Sequence, residues 1–86
     1  MFVVLTYDVN QKRVGKALKI CRKYLVRVQR SVFEGRITEA QLNRLQKELK
    51  SILNTDEDTV CIYEMDSTMY VNKVQIGIVE DNSHII

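Results

Sequence analysis

With a single histidine, His84, set in a polar tail, the chain offers no imidazole for a Ser-His or Cys-His nucleophile system. Any catalysis has to run on carboxylates, a metal ion or arginine. Cysteine is scarce as well. Cys21 and Cys61 stand far apart without a C-x-x-C pairing, so neither a disulfide framework nor a zinc site is indicated, and both are expected as free thiols in the core. Long apolar runs are missing too: Phe2 to Leu5 is too short for a signal peptide and lacks a basic leader, and nothing approaches the roughly 20 apolar residues of a membrane span. A soluble, cytoplasmic protein without a membrane partner is expected. The 86 residues, 45% hydrophobic and 28% charged, supply one core and leave no room for a second. A single domain is expected over residues 1–80, followed by a short polar tail, 81–86.

The net charge of +2 is close to neutral, but its distribution is not. Residues 1–50 carry 12 basic and 4 acidic side chains, whereas residues 51–86 carry 1 basic and 7 acidic. Such asymmetry points to a polyanionic partner for the first half.

Phe2-Val3-Val4-Leu5-Thr6-Tyr7 is nearly continuous in apolar and β-favouring residues, which predicts a central strand. After the short turn Asp8-Val9-Asn10, the residues Val14, Ala17, Leu18, Cys21 and Leu25 fall on one helical face, predicting an amphipathic helix from about Gln11 to Leu25. Val26 to Ile37 is strand material, either one long strand or two short ones broken near Arg30-Ser31, and its periodicity leaves the choice open. Thr38-Glu39-Ala40-Gln41 has the form of a capping box, with Leu42, Leu45, Leu49 and Ile52 marking the buried face of a second helix that ends near Asn54. A polar loop over 55–58, a strand Thr59 to Met65, a turn Asp66-Ser67-Thr68 and a last strand Lys73 to Glu80 complete the chain.

This order resembles the ferredoxin-like split βαβ arrangement of the α+β class, in which both helices cover one face of an antiparallel sheet. Because the first strand is apolar on both sides, the other face is expected to be covered by a second copy in a two-fold dimer, with the last strand a candidate for crossing to the partner.

Chemistry-bearing residues gather in the first half. Asp8, at the end of the first strand, is placed either to hold a hard cation or to cap the following helix. If two copies meet near a dimer axis, one carboxylate per chain becomes a pair that a metal can bridge. Opposite the apolar face of the first helix, Lys12, Lys16, Lys19 and Lys23 form a stripe flanked by Arg13 and Arg22, without an acidic residue between Gln11 and Leu25. A solvated face normally mixes signs to gain i,i+4 pairs, so this stripe reads as a phosphate track as well as a solvated surface. Phe33, among Arg27, Arg30 and Arg36, is suited either to packing or to stacking a base.

Three segments resemble the small CRISPR-associated adaptation nucleases of the Cas-two family: Val4-Leu5-Thr6-Tyr7-Asp8-Val9, Val26-Arg27-Val28-Gln29-Arg30-Ser31-Val32-Phe33-Glu34-Gly35 and Asp58-Thr59-Val60-Cys61-Ile62-Tyr63. The second is the most specific. The resemblance implies a ferredoxin-like βαββαβ domain with an additional C-terminal strand, dimerised through the sheet face, and it splits Val26 to Ile37 into two strands. It also implies divalent-metal-dependent phosphodiester cleavage of single-stranded RNA or double-stranded DNA, with Mg²⁺ or Mn²⁺ bridged by Asp8 of both subunits. Tyr7, Lys12, Arg13, Lys16, Lys19, Arg27 and Phe33 become the implied nucleic-acid-binding set. Family members carry two arginines at the start of the first helix, where this chain has Gln11, Lys12 and Arg13, so a lysine acts there as a point charge. Finally, the resemblance implies a place in spacer acquisition beside the CRISPR integrase Cas-one. A non-catalytic DNA-binding scaffold and a ferredoxin-like toxin-type ribonuclease are the rival readings, since this fold hosts many functions.

Overall fold

Side chains alternate across a strand, so Phe2–Asp8 sorts into Val3, Leu5 and Tyr7 on one face and Phe2, Val4, Thr6 and Asp8 on the other. The computed structural model, which describes residues 1–66 and 72–77, buries the first set beneath two helices and leaves Phe2, Val4 and Thr6 half-covered. This strand, β1, is followed by α1 (Gln11–Arg22), β2 (Val26–Gln29), β3 (Val32–Arg36), α2 (Glu39–Ile52) and β4 (Thr59–Met65). The sheet is antiparallel in the order β2-β3-β1-β4, which makes β1 an interior strand as its composition predicts.

The core lies between the sheet and the helices. Phe33, Leu5, Leu45, Val3 and Cys21 are its largest fully buried side chains. Ala17, Ile20 and Cys21 dock α1, and Leu42, Leu45 and Leu49 dock α2. The capping box at the start of α2 is formed as expected: the Gln41 amide donates to Thr38 Oγ1 at 3.1 Å and the Thr38 amide to Gln41 Oε1 at 2.9 Å. Gly35 permits a close approach, because a Cβ there would stand 3.3 Å from Leu25 Cδ2.

Four expectations are corrected. The first helix stops at Arg22 rather than Leu25: Lys23 is its C-cap, and the Lys23 and Tyr24 amides tighten the last turn with i→i−3 bonds to the Ile20 and Cys21 carbonyls, both 3.1 Å. Leu25 is still buried, from the connection instead of the helix. The buried helical face is centred on Ala17, Ile20 and Cys21, which leaves Val14 and Leu18 only half-buried. Cys61 is a free thiol but an exposed one, because its register opposite Thr6 puts it on the uncovered side of the sheet, whereas Cys21 is buried.

The fourth correction concerns the last strand, expected over Lys73 to Glu80. No strand is formed over 72–77, and residues 78–80 lie outside the described residues, as do Ser67 and Thr68 of the expected turn and the tail 81–86 with His84. Segment 72–77 runs alongside β2 and β3, with the Lys73 ammonium on the Glu34 carboxylate and Gln75 Nε2 donating to the Val28 carbonyl at 3.4 Å. The alternative left open for Val26 to Ile37 is settled as two strands joined at Arg30-Ser31.

Residues opposite one another in an antiparallel pair share a face. The side of the sheet without helices therefore carries Phe2, Val4, Thr6 and Asp8 from β1, Thr59, Cys61, Tyr63 and Met65 from β4, and Val32 and Glu34 from β3. Tyr63 is 57% exposed there, and Val74 and Ile76 of the adjoining segment are 79% and 95% exposed.

Candidate site at the end of the first strand

An open groove of about 380 Å³ lies where β1 gives way to α1, lined by Tyr7, Asp8, Val9, Val14, Gly15, Leu18, Arg27, Arg30 and Ser31. Asp8 is the carboxylate of this lining and is exposed. Two contacts fix the opposite wall. The Tyr7 amide donates to the Ser31 carbonyl at 3.1 Å, and Arg27 grips the Arg30 carbonyl through Nε at 3.1 Å and Nη2 at 2.8 Å. The β2–β3 turn is thus stapled so that Arg27, Arg30 and Asp8 share one groove.

Of the residues predicted to bind nucleic acid, Tyr7 and Arg27 are brought to this groove beside Asp8. Lys12, Lys16 and Lys19 are exposed along α1 and are not part of its lining. Lys23, from the same stripe, is turned to α2, where its ammonium donates to Glu48 Oε1 at 2.5 Å. Base stacking by Phe33 is corrected: the residue is 0% exposed, its ring centroid 5.6 Å from that of Tyr7, and no face is open to a base. The half-buried face of Val14 and Leu18, together with Gly15, supplies the helical wall instead.

Arg13 is directed elsewhere. Its Nε donates to Asp58 Oδ2 at 2.6 Å, and its Nη2 donates to Asp58 Oδ1 at 3.2 Å and to Glu57 Oε2 at 2.7 Å. Asp58 also accepts the amide of Asn10 at 2.9 Å and that of Asn54 at 2.9 Å, with its side chain 0% exposed. The loop 54–58 is wound to present it, the Glu57 and Asp58 amides donating to the Asn54 carbonyl at 3.0 and 2.7 Å. α1 has no acidic residue in its first turn, so Asp58 supplies from another element the negative charge that a helix N-terminus favours. Sequence reading treated Asp58 as one residue of a polar loop. The signal available was its place at the head of the segment Asp58-Thr59-Val60-Cys61-Ile62-Tyr63.

The model of the family described as CRISPR associated protein Cas2 matches residues 1–73. The chain belongs to the Cas2 family. It is 46% identical over 78 residues to a protein named CRISPR-associated endoribonuclease Cas2 from Dictyoglomus turgidum, covering 91% of this chain and 90% of that protein. A protein of the same name from Thermotoga maritima is 44% identical, with the same coverage. Among solved structures, one described as a crystal structure of cas2 superposes with a TM-score of 0.82 at 36% identity, covering 100% of this chain and 97% of the other. Streptococcus pyogenes Cas2 at pH 6.5 gives a TM-score of 0.72 at 31% identity, covering 87% of this chain and 100% of that one. The ferredoxin-like α+β fold of this Cas2-family chain and that of the solved Cas2 structures therefore agree. No helix among its described residues is long and apolar enough to cross a membrane.

Asp58 and Asp8 stand in different surroundings, the first buried and the second exposed. Arg13, first, and then the two amides hold the Asp58 carboxyl well below the usual carboxylate range, and Asp58 in turn pushes the Arg13 guanidinium further up. Each Asp58 oxygen already accepts two donors, so the group has no capacity left for a metal. Burial raises the Tyr7 hydroxyl and pushes the Cys21 thiol up to about 12, which keeps both neutral in the core. Among the described residues no group of three or more His, Cys, Asp or Glu side chains could hold a metal ion. One chain thus offers Asp8 alone, an exposed hard oxygen donor. That fits Mg²⁺ or Mn²⁺, which take one or two carboxylates and complete their shells with water.

A carboxylate whose folded value is depressed contributes stability above its unfolded value and loses it as the pH falls toward the folded one. Asp58 is therefore expected to make the fold acid-sensitive below about 3.8, its ordinary value. Asp58→Asn should be less stable than wild type at neutral pH and lose less on acidification, the remaining slope coming from groups such as Glu48, lowered by Lys23 and Tyr24. Urea unfolding at neutral and acid pH measures both; parallel pH profiles for the two proteins would refute the assignment.

Proposed function

We propose that this chain is a divalent-metal-dependent endonuclease of CRISPR spacer acquisition that works as a homodimer on RNA or duplex DNA beside the CRISPR integrase. The observation that carries the reading is the exposed Asp8 carboxylate in one groove with Arg27 and Arg30, in a chain whose relatives are named endoribonucleases.

In this reading, two copies meet through the helix-free sheet face, covering Val4, Tyr63 and their neighbours and bringing one Asp8 from each chain to a shared axis. When bound there, Mg²⁺ supplies Lewis-acid stabilisation of phosphoryl oxygen and a more acidic water. In that dimer the pair of Asp8 carboxylates would hold the cation. Arg30, and Arg27 with its guanidinium braced on the turn, offer positive charge to orient the phosphodiester. Tyr7 holds β1 from its buried side, so the carboxylate beside it stays at the rim.

The scaffold reading has its own support in the exposed Lys12, Lys16 and Lys19, which lie outside the groove lining and suit the backbone of a long duplex. The two readings divide on one experiment. Asp8→Asn keeps the shape of the side chain and removes the charge that holds Mg²⁺, so metal-dependent cleavage should fall roughly a hundredfold or more while DNA binding survives. Unchanged cleavage by the purified variant would place the nuclease elsewhere, and wild type without cleavage on either RNA or DNA would favour the scaffold.

Light scattering at micromolar concentration should return twice the chain mass, and a folded monomer would rule out a shared metal. Replacing Lys12, Lys16 and Lys19 together by Gln should weaken binding equally across sequences. The logarithmic salt slope should shrink by about 0.9 for each duplex-DNA phosphate that the variant no longer neutralises. A slope matching wild type would move the track to Arg27 and Arg30.

A further inference from the structure

We propose that Asp58 is a positioning residue for Asp8: its buried carboxylate clamps the β1–α1 turn to the start of β4 and so sets where Asp8 presents its oxygens to a divalent cation. The inference rests on the metal reading of Asp8 given above. Asp8 is flanked by two attachment points of this clamp. Across the sheet its ladder partner is Thr59, the residue next to Asp58, and along the chain Asn10 donates its amide to Asp58 Oδ1 at 2.9 Å. The remaining donors anchor the carboxylate from two further elements, Arg13 Nε at 2.6 Å and Nη2 at 3.2 Å from α1 and the Asn54 amide at 2.9 Å from the α2–β4 loop.

The consequence for Asp8 is mechanical. It is exposed and takes its place from its backbone, which is paired to Thr59 across the sheet and tied along the chain, through Asn10, to the saturated carboxylate of the residue before Thr59. Asn at position 58 would keep the size, but it would lose the charge that meets Arg13 and set an NH₂ donor against an N–H or guanidinium donor. The β1–α1 turn would then be free to drift relative to β4. Groups that orient a metal ligand without touching the metal typically account for about 10–100-fold in affinity.

The test reads Mn²⁺ binding directly, by the electron paramagnetic resonance signal of free Mn²⁺ in titrations of the intact protein, with cleavage as a second readout. Asp58→Asn and Arg13→Lys, which keeps the charge but not the planar fork, are compared with Leu42→Ala. Leu42 is a buried α2 residue roughly 15 Å along the helix from its last residue, Ile52, so its variant is a control for lost stability alone. All are measured where circular dichroism shows them folded. Asp58→Asn should bind Mn²⁺ about tenfold or more weakly, Arg13→Lys should show a smaller loss, and Leu42→Ala should match wild type. If Asp58→Asn does not fold, Arg13→Lys carries the test. Mn²⁺ affinity equal to wild type in the clamp variant overturns the inference and leaves the metal reading standing, as does an equal loss in Leu42→Ala. Wild type that binds no Mn²⁺ overturns the metal reading and this inference with it.

Discussion

β1 is paired on both edges and covered on one face, and every feature of the site descends from that position. Its interior place fixes the register of β3 and β4, so that a strict alternation sends Val3, Leu5 and Tyr7 into the core and carries Asp8 out of it. A one-residue slip of β1 against both neighbours would bury the carboxylate and expose Leu5. The apolar alternation that stabilises the sheet is thus also what delivers a charged group to its rim, and folding and site geometry cannot be varied independently along this strand.

A second constraint acts at the same end of the molecule through charge. Asp58 is the buried charged residue of the described fold, and a buried carboxylate persists only where its oxygens are satisfied. Here the donors come from the β1–α1 turn, from α1 and from the loop after α2. Two stretches far apart in sequence, 10–13 and 54–58, meet at one side chain, and the first turn of α1, crowded with Lys12 and Arg13, gains the negative partner it lacks locally. Arg13 thereby acts in holding the fold together, while Arg27 and Arg30 supply the positive charge of the groove.

The helix-free side of the sheet has a different physical status. Half-covered Phe2, Val4 and Thr6, together with exposed Tyr63 and Cys61, form a surface whose apolar content favours a partner. In the dimer proposed above, burying it against a second copy would account for the composition of β1 and would bring the two strand-end carboxylates toward one axis.

Local pattern was enough for much of the architecture. Periodicity left Val26 to Ile37 as one strand or two, but β1, β4 and both helices were legible, because apolar period and capping chemistry are properties of neighbouring residues: Thr38 and Gln41 satisfy each other within one turn, and Phe2 to Tyr7 reads as an interior strand without knowledge of its neighbours. Asp8 as a strand-end carboxylate followed from the same reasoning. The tertiary structure decided what depends on residues distant in sequence. It turned Arg13 from a phosphate ligand in expectation to the partner of Asp58, 45 residues away, and it closed Phe33 behind Tyr7. It also stopped α1 at Arg22 and set Cys61 outside the core. In each case the sequence carries the charge, ring or thiol, but its surroundings are assembled by the register of the sheet and the docking of the helices, and those surroundings determine which chemistry the group can perform.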